Sequence, residues 1–156
     1  MPTTTTQAPR WLTPGEMATW LPLLRVVQLL PQALDKQLRE QTGINHVYYT
    51  LLAVLSAHAD RRLPLTELAR AAAMSQSRAS HAVTALQERG LVDRCPCPTD
   101  RRVQYVQLTE AGGALLEEHA PGHVAEVRRL VFDRLDERDV DDLRRVASKL
   151  LTGLDD

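Results

Sequence analysis

The feature that most constrains the fold lies between residues 66 and 108, where two short helical segments are followed at once by two short strands. Ser75 is a favourable helix N-cap and Gly90 suits the position just after a helix end, so these residues bound the second helix. The strands are Leu91–Val92 and Val103–Leu108, and the Pro- and Asp-containing turn between them predicts a hairpin. This order of elements predicts a winged helix-turn-helix.

Two further helices are predicted before this region. The segment Thr13-Pro14-Gly15-Glu16 combines an N-cap Thr, Pro at the first helical position and Glu three residues after the cap, which is a strong helix start. Pro22 and Pro31 predict that this helix is kinked or in two pieces, and that it ends near Gly43. A second helix is predicted from Asn45, its cap, to about His58.

The remaining elements are also predicted to be helical. Thr66 is the expected cap of the short helix that precedes Ser75. After the hairpin, Thr109 caps a long helix that is predicted to be interrupted at Pro121-Gly122. Asp136 caps the last helix. The fold class is therefore mainly α, with a small β-hairpin wing.

Charge is unevenly distributed along the chain, although the formal net charge is only −1. Residues 61–102 carry eight Arg and four acidic residues, a net charge of +4. The remainder carries eleven basic and sixteen acidic residues, a net charge of −5. A basic segment within an otherwise acidic chain suggests that this segment meets an anion.

The helix that begins at Ser75 has one apolar face and one polar face when projected at 100° per residue. The apolar face is formed by Ala79, Ala82, Val83 and Leu86. The polar face carries hydrogen-bonding side chains and no acid before Glu88. Because a solvated helix face usually mixes acids among its polar residues, DNA reading is the favoured interpretation and a solvated face the alternative. The residues predicted to contact DNA are Ser75, Gln76, Ser77, Arg78, Ser80, His81 and Thr84, with Arg78 as the candidate for a bidentate guanine contact.

The hairpin adds three arginines, Arg94, Arg101 and Arg102, around its turn. Arginine suits the negative potential of a narrow minor groove, so these residues are predicted to contact that groove or its phosphates. Asp100 offers a second interpretation, in which it pairs with an arginine and braces the wing. Both roles are compatible, because one arginine can brace the wing while another contacts DNA.

Five segments, in this order and spacing, resemble the MarR (multiple antibiotic resistance regulator) family. They are Thr66-Glu67-Leu68-Ala69, Met74-Ser75-Gln76-Ser77-Arg78, Leu86-Gln87-Glu88-Arg89-Gly90-Leu91-Val92, Pro98-Thr99-Asp100-Arg101-Arg102 and Leu108-Thr109-Glu110-Ala111-Gly112. The resemblance covers about residues 16–151. One departure is Ala73, which stands where the family often has Gly, so the turn between the two short helices is expected to be strained or differently shaped.

The resemblance implies a homodimer whose two DNA-binding parts contact successive major grooves of a near-palindromic operator. It further implies a regulator, often a repressor, that a small aromatic or anionic ligand releases from double-stranded DNA. In this interpretation residues 1–12 form a disordered tail and 13–156 a single domain. Residues 13–43 and 109–153 are the dimerisation helices, and 45–108 are the winged helix-turn-helix.

The resemblance also implies a ligand pocket on the first two helices, where an arginine beside aromatic rings could hold an aromatic carboxylate. The candidates are Trp20, Arg25, His46, Tyr48 and Tyr49, and the alternative for each is core or dimer packing. Cys95 and Cys97 are candidates for a redox switch, with inert wing cysteines as the favoured interpretation. His119 and His123 have the i, i+4 spacing of zinc ligands, but no third ligand is evident, so neither metal nor cofactor is predicted.

Other classes of protein are less compatible with the sequence. The chain has no phosphate-binding glycine loop, no Gly-x-Ser-x-Gly turn and no HExxH motif, so we do not expect an enzyme. A winged helix used only for protein association is the stronger alternative, and the acid-free face of the helix after Ser75 argues against it. Because no secretory or membrane-length apolar run occurs, a cytoplasmic protein with no membrane partner is expected.

Overall fold

A computed structural model describes residues 9–96 and 103–154. The described elements are α1 Pro14–Thr42, α2 His46–Ser56, β1 Arg62–Pro64, α3 Leu65–Ala71, α4 Gln76–Glu88, β2 Val92–Pro96, β3 Gln104–Leu108, α5 Glu110–Leu130, a 3-10 turn Phe132–Arg134 and α6 Glu137–Thr152. The mainly helical fold with a small β wing is confirmed. In the part of the chain that the structure describes, no helix has both the length and the apolar character needed to cross a membrane.

Local sequence signals set most helix starts as predicted. Five predicted N-caps accept a hydrogen bond from the first helical turn, and they are Thr13, Asn45, Ser75, Thr109 and Asp136. At the other end of α4, Gly90 has φ +71°, the left-handed conformation that favours glycine after a helix. The five N-cap side chains satisfy backbone N–H groups that have no partner within the helix.

The three strands form one antiparallel sheet in the order β1-β3-β2. The predicted hairpin is β2 and β3, with Val92 opposite Leu108 and Arg94 opposite Val106. One face of this sheet packs on α2, α3 and α4, and the side chains that are almost fully buried there come from all of these elements. They are Leu51, Leu52, Leu55, Leu68, Val83, Leu86, Val92 and Val106, with Leu38 from α1.

The predicted interruption of α5 is wrong, and so is the alternative in which the first helix is in two pieces. α1 is a single helix with Pro22 and Pro31 inside it, and α5 continues through Pro121-Gly122 to Leu130. A proline inside a helix removes one backbone hydrogen bond and crowds the carbonyl four residues earlier, but the helix continues on both sides of each proline here. The Pro121-Gly122 segment of α5 also packs closely on α1. A Cβ added at Gly122 would lie only 2.7 Å from Gln41 Oε1.

The short helix α3 also differs from the prediction. It begins at Leu65, Pro64 occupies its N-cap position, and no side chain caps it, so the assignment of Thr66 as the cap is wrong. The N-cap therefore lies two residues earlier than predicted, and the first helical residue, Leu65, is buried. In the turn before α4, Ala73 has φ +51°, so alanine adopts the left-handed conformation for which glycine was expected.

Candidate nucleic-acid interface

Helix α4 is packed on the core by one face only. Its buried residues are Ala79, Ala82, Val83 and Leu86, which confirms the predicted apolar face. The opposite face exposes the side chains Gln76, Ser77, Arg78, His81 and Thr84, while Ser80 is half-buried. The Ser75 hydroxyl oxygen accepts a hydrogen bond from the Arg78 N–H at 3.2 Å and fixes the first turn.

This face suits an anionic partner for two reasons. The N-terminus of α4 carries the positive end of the helix dipole, and its first turn contains no acidic residue. The exposed donors and acceptors along the face have the chemistry that base edges require. The first acid, Glu88, lies at the far end of the helix.

The far end of α4 is held by contacts that sequence reasoning missed. Arg89 Nη1 donates to the carbonyl oxygen of Gly43 at 3.1 Å, and its guanidinium lies 5.9 Å from the centre of the Tyr48 ring. Tyr48, a candidate ligand residue, therefore contacts the residue that caps the C-terminus of α4. A basic residue at a helix C-terminus is a recognisable local signal, but its partner 46 residues away is not.

The wing is joined to α4 through Arg94 on β2. Its guanidinium donates from Nη2 to the Ser80 carbonyl oxygen at 2.9 Å and to Thr84 Oγ1 at 3.0 Å, and from Nη1 to Gln104 Oε1 at 2.9 Å. Thr84 Oγ1 in turn donates to the Ser80 carbonyl oxygen at 3.0 Å. Ser80, Thr84 and Arg94, which were all predicted to contact DNA, thus belong to one hydrogen-bonded network. We name the contacts of Arg94 with Ser80, Thr84 and Gln104 the Arg94 bridge.

Several predicted wing residues lie outside the described residues: Cys97, Asp100, Arg101 and Arg102. Cys95 is half-buried on β2, and its thiol lies 3.7 Å from Gln107 Oε1. Among the described residues, no group of three or more His, Cys, Asp or Glu side chains is arranged to hold a metal ion. His119 and His123 lie on the same helix, α5.

The candidate ligand residues do not form one group within the chain. Trp20 lies in a cleft at the start of α1 with Leu12 and Leu23. Arg25 lines a separate groove of about 640 Å³ between α1 and the C-terminal helices. His46 lies on α2, where its backbone N–H donates to Asp35 Oδ1. Fifteen residues separate Trp20 from Asp35 on α1, which is about 22 Å along the helix.

His46 and Tyr49 instead meet a residue of α5. The ring of His123 lies 4.6 Å from that of Tyr49 and 6.2 Å from that of His46, centre to centre. His123 Nδ1 lies 3.0 Å from Oε1 of the buried Gln37. Because an amide oxygen only accepts, Nδ1 carries the proton in this bond.

Burial changes the protonation of this histidine pair. It lowers the pKa of both His46 and His123, because an imidazolium loses hydration between the packed helices. Nearby Asp35 raises the pKa of His46 in part, and His46 lowers the pKa of His123 further. Desolvation also raises the pKa of the Tyr49 hydroxyl. The arrangement therefore favours two neutral imidazoles.

Comparison with known proteins extends the similarity beyond the short sequence segments. The sequence model of the MarR family matches residues 42–103. The chain is 31% identical over 121 residues to the transcriptional repressor MprA of Escherichia coli K12, and the match covers 78% of this chain and 68% of MprA.

Solved structures show the same similarity in three dimensions. Sco3205, a MarR family transcriptional regulator from Streptomyces coelicolor in complex with DNA, matches with a TM-score of 0.91 and 42% identity, over 95% of this chain and 92% of Sco3205. CouR from Rhodococcus jostii, bound to p-coumaroyl-CoA, matches with a TM-score of 0.74 and 26% identity, over 85% of this chain and 90% of CouR.

Proposed function

The chain belongs to the MarR family of transcriptional regulators, and on that basis we propose that it binds an inverted-repeat DNA operator as a homodimer. It acts as a repressor, and a small aromatic or anionic ligand releases it from the DNA. Membership of this family makes the chain a regulator and not an enzyme.

The observation that carries the proposal is the exposed, acid-free face of α4. Seven residues of the helix or its cap contact DNA in this proposal: Ser75, Gln76, Ser77, Arg78, Ser80, His81 and Thr84. All of them except Ser80 are exposed. The wing arginines Arg101 and Arg102 contact the minor groove or its phosphates. Sco3205, which is 42% identical to this chain and was solved in complex with DNA, supports DNA binding by this chain.

Dimerisation is supported by the apolar side chains that α1 and α6 leave exposed. α6 has no buried residue, yet it exposes Leu143, Val146, Leu150 and Leu151. α1 exposes Leu21, Val26, Val27 and Leu29. Apolar surface of this extent marks a site of association, and a second copy of the chain covers it in this proposal. A two-fold dimer presents two α4 helices, which is why the operator is an inverted repeat.

Ligand release is supported by the groove that Arg25 lines and by the ligand-bound relative CouR. The groove is bordered by α1, α5 and α6, and Val26, Leu29 and Leu143 in its wall also belong to the apolar surface that the second copy covers. A ligand there would therefore act through the dimer contact and so alter the spacing of the two α4 helices. Its apolar wall suits an aromatic ring and Arg25 suits a carboxylate. Aromatic acids and their thioesters should therefore lower the affinity for DNA, and Arg25→Met should abolish this response while leaving the affinity in the absence of ligand unchanged.

Selection from random-sequence DNA, followed by salt titration of the winning sites, tests the proposal. We expect enrichment of an inverted repeat whose half-sites lie about one helical turn apart. Binding to the winning site should weaken steeply as salt rises, because phosphate contacts release counterions. Binding without any sequence preference would contradict the operator, and selection of single half-sites would contradict the dimer.

A further inference from the structure

Arg94 lies between the wing and the recognition helix rather than at the tip of the wing. Its side chain is half-buried, and its guanidinium faces α4. Three of the acceptors that it contacts belong to α4: the Ser80 carbonyl oxygen at 2.9 Å, Ser80 Oγ at 3.3 Å and Thr84 Oγ1 at 3.0 Å. The fourth, Gln104 Oε1 at 2.9 Å, belongs to β3. One side chain thus connects both strands of the wing to one turn of α4.

The register of the hairpin explains how one guanidinium reaches both partners. Arg94 is opposite Val106, and Gln104 lies two residues before Val106 on the same strand. Residues two apart on a strand point to the same face, so Arg94 and Gln104 are diagonal neighbours on the face that packs on α4. The planar fork of arginine has donors in two directions, which a lysine ammonium on its longer, flexible stem does not reproduce.

We propose that Arg94 is a positioning residue for DNA reading, which sets the angle between the wing and α4 and does not itself contact DNA. This inference rests on the proposed function, because it assumes that α4 and the wing bind one operator together. The Arg94 bridge fixes the wing at Ser80 and Thr84, next to the exposed residues that face the major groove. The strands β2 and β3 are thereby held at a fixed angle to those residues.

The hydrogen bonds of Arg94 argue against a direct phosphate contact. To reach a phosphate, the guanidinium would have to leave Ser80, Thr84 and Gln104, and the half-buried Ser80 hydroxyl would lose its partner. A phosphate contact depends on charge and is shared by all DNA sequences. A positioning role depends on geometry, so its loss should reduce the preference for the operator over other DNA.

The test compares four variants with the wild-type chain: Arg94→Met, Arg94→Lys, Gln104→Leu and the double variant Arg94→Met/Gln104→Leu. Gln104→Leu weakens the bridge without removing a charge. Arg128→Met is the charge-matched control, because Arg128 is exposed and lies 18 residues from the start of α5, about 27 Å along the helix. Fluorescence anisotropy measures the affinity for the selected operator and for random duplex at several salt concentrations. Thermal melting identifies any variant that does not fold.

We expect Arg94→Met to lower the affinity for the operator about tenfold, as the loss of charge-assisted hydrogen bonds predicts, and to leave that for random duplex unchanged. Arg94→Lys should behave like Arg94→Met, and the salt dependence of both should match that of the wild type. Gln104→Leu should lower the operator affinity about threefold, with no additional loss in the double variant. Arg128→Met should bind as the wild type does.

Other outcomes would overturn the inference. Arg94 is a phosphate contact if Arg94→Met weakens binding to all duplexes and reduces the magnitude of the slope of log K against log salt by about one, while Arg94→Lys restores the affinity and the slope. If Gln104→Leu binds as the wild type does, the bridge has no role in reading, and this result holds even where Arg94→Met does not fold. If the wild type itself does not prefer its selected site to random duplex, the proposed function fails as well.

Discussion

Arg78 lies in the first turn of α4, on the exposed face and close to the positive end of the helix dipole. Its backbone N–H is bound by the Ser75 hydroxyl, so the start of its side chain is held in place while the guanidinium extends outward. This is the position from which an arginine contacts the O6 and N7 atoms of guanine in the major groove.

Arg78→Ala should therefore relax the preference for one base pair in each half-site. The expected loss is about 1–3 kcal/mol of discrimination at that base pair, with the preference at other positions retained. Competition binding against operators that carry single substitutions measures this directly. The matched control is Arg70→Ala, which removes an exposed arginine of α3. An unchanged preference at every position would contradict the assignment of Arg78.

We predict that the pair His46 and His123 makes the free energy of unfolding depend on pH. Burial lowers the pKa of both side chains in the folded chain, whereas the unfolded chain keeps the usual value near 6.5. Below that pH the unfolded chain binds more protons, so the free energy of unfolding should fall as the pH falls from about 6.5. Above that pH, the pair should contribute no pH dependence.

Urea unfolding at several pH values between 8 and 5.5 measures this effect in the wild type and in His46→Gln/His123→Gln. The double variant should lose most of the pH dependence in this range, because the paired imidazoles are gone. His58→Gln is the control, since His58 is exposed. Equal pH dependence in the wild type and the double variant would show that the pair does not titrate in this way.

At the scale of the elements, the start of α5 packs against the base of the wing through Gly112. A Cβ at this position would lie 2.2 Å from the carbonyl oxygen of Leu91 and 2.7 Å from Leu108 Cδ1. Contact with a backbone atom at this distance is not possible, so the helix and the wing would have to separate. Gly112, the last residue of the segment Leu108-Thr109-Glu110-Ala111-Gly112, therefore has a packing role.

Gly112→Ala should destabilise the chain by about 2 kcal/mol, because overpacking outweighs the better helix propensity of alanine. Urea unfolding gives the free energy. Gly113→Ala is the matched control, since its added Cβ would meet only the flexible Arg61 side chain, at 3.2 Å. This control should be neutral, or stabilising by up to about 1 kcal/mol. Equal stability of the two variants would refute the packing role.

At the scale of the whole molecule, the described chain leaves one face of α6 without a partner. Leu143, Val146 and Leu150 recur at helical spacing on this face, and Val146 is 43% exposed. Two ion pairs lie at other positions of the helix: Arg144 with Asp141 and Arg145 with Asp142. The helix is thus amphipathic, and its apolar face is suited to a second copy.

Val146→Glu should convert the dimer to a monomer at micromolar concentration, since a buried carboxylate without a partner is strongly unfavourable in an apolar interface. Light scattering would then give 17.5 kDa, the mass of one chain, where the wild type gives twice this value. Ser148→Glu is the control, because position 148 lies 200° around the helix from 146. A wild type of 17.5 kDa would overturn the dimer, and a dimeric Val146→Glu would exclude this face of α6 from the interface.

The sequence by itself determined the order of the six helices and the hairpin, five of the helix caps and the two faces of α4. Each of these depends on residues within about one or two turns: Ser75 binds the N–H of Arg78, and Ala79, Ala82 and Val83 share a face through the helical repeat. The residue pattern alone was therefore sufficient for the recognition helix and for the hairpin that follows it.

Only the tertiary structure decided how these elements meet. Pro121-Gly122 does not break α5 because α1 packs against it, and His123 meets Gln37 from 86 residues away. The ligand candidates Trp20 and His46 lie apart because Trp20 is near the start of α1, whereas His46 contacts Asp35, much farther along that helix. The partners of Arg94 depend on strand register, which a single-residue slip would change. Such contacts join residues distant in the chain, and their geometry is set by packing of the whole core, which no local pattern encodes.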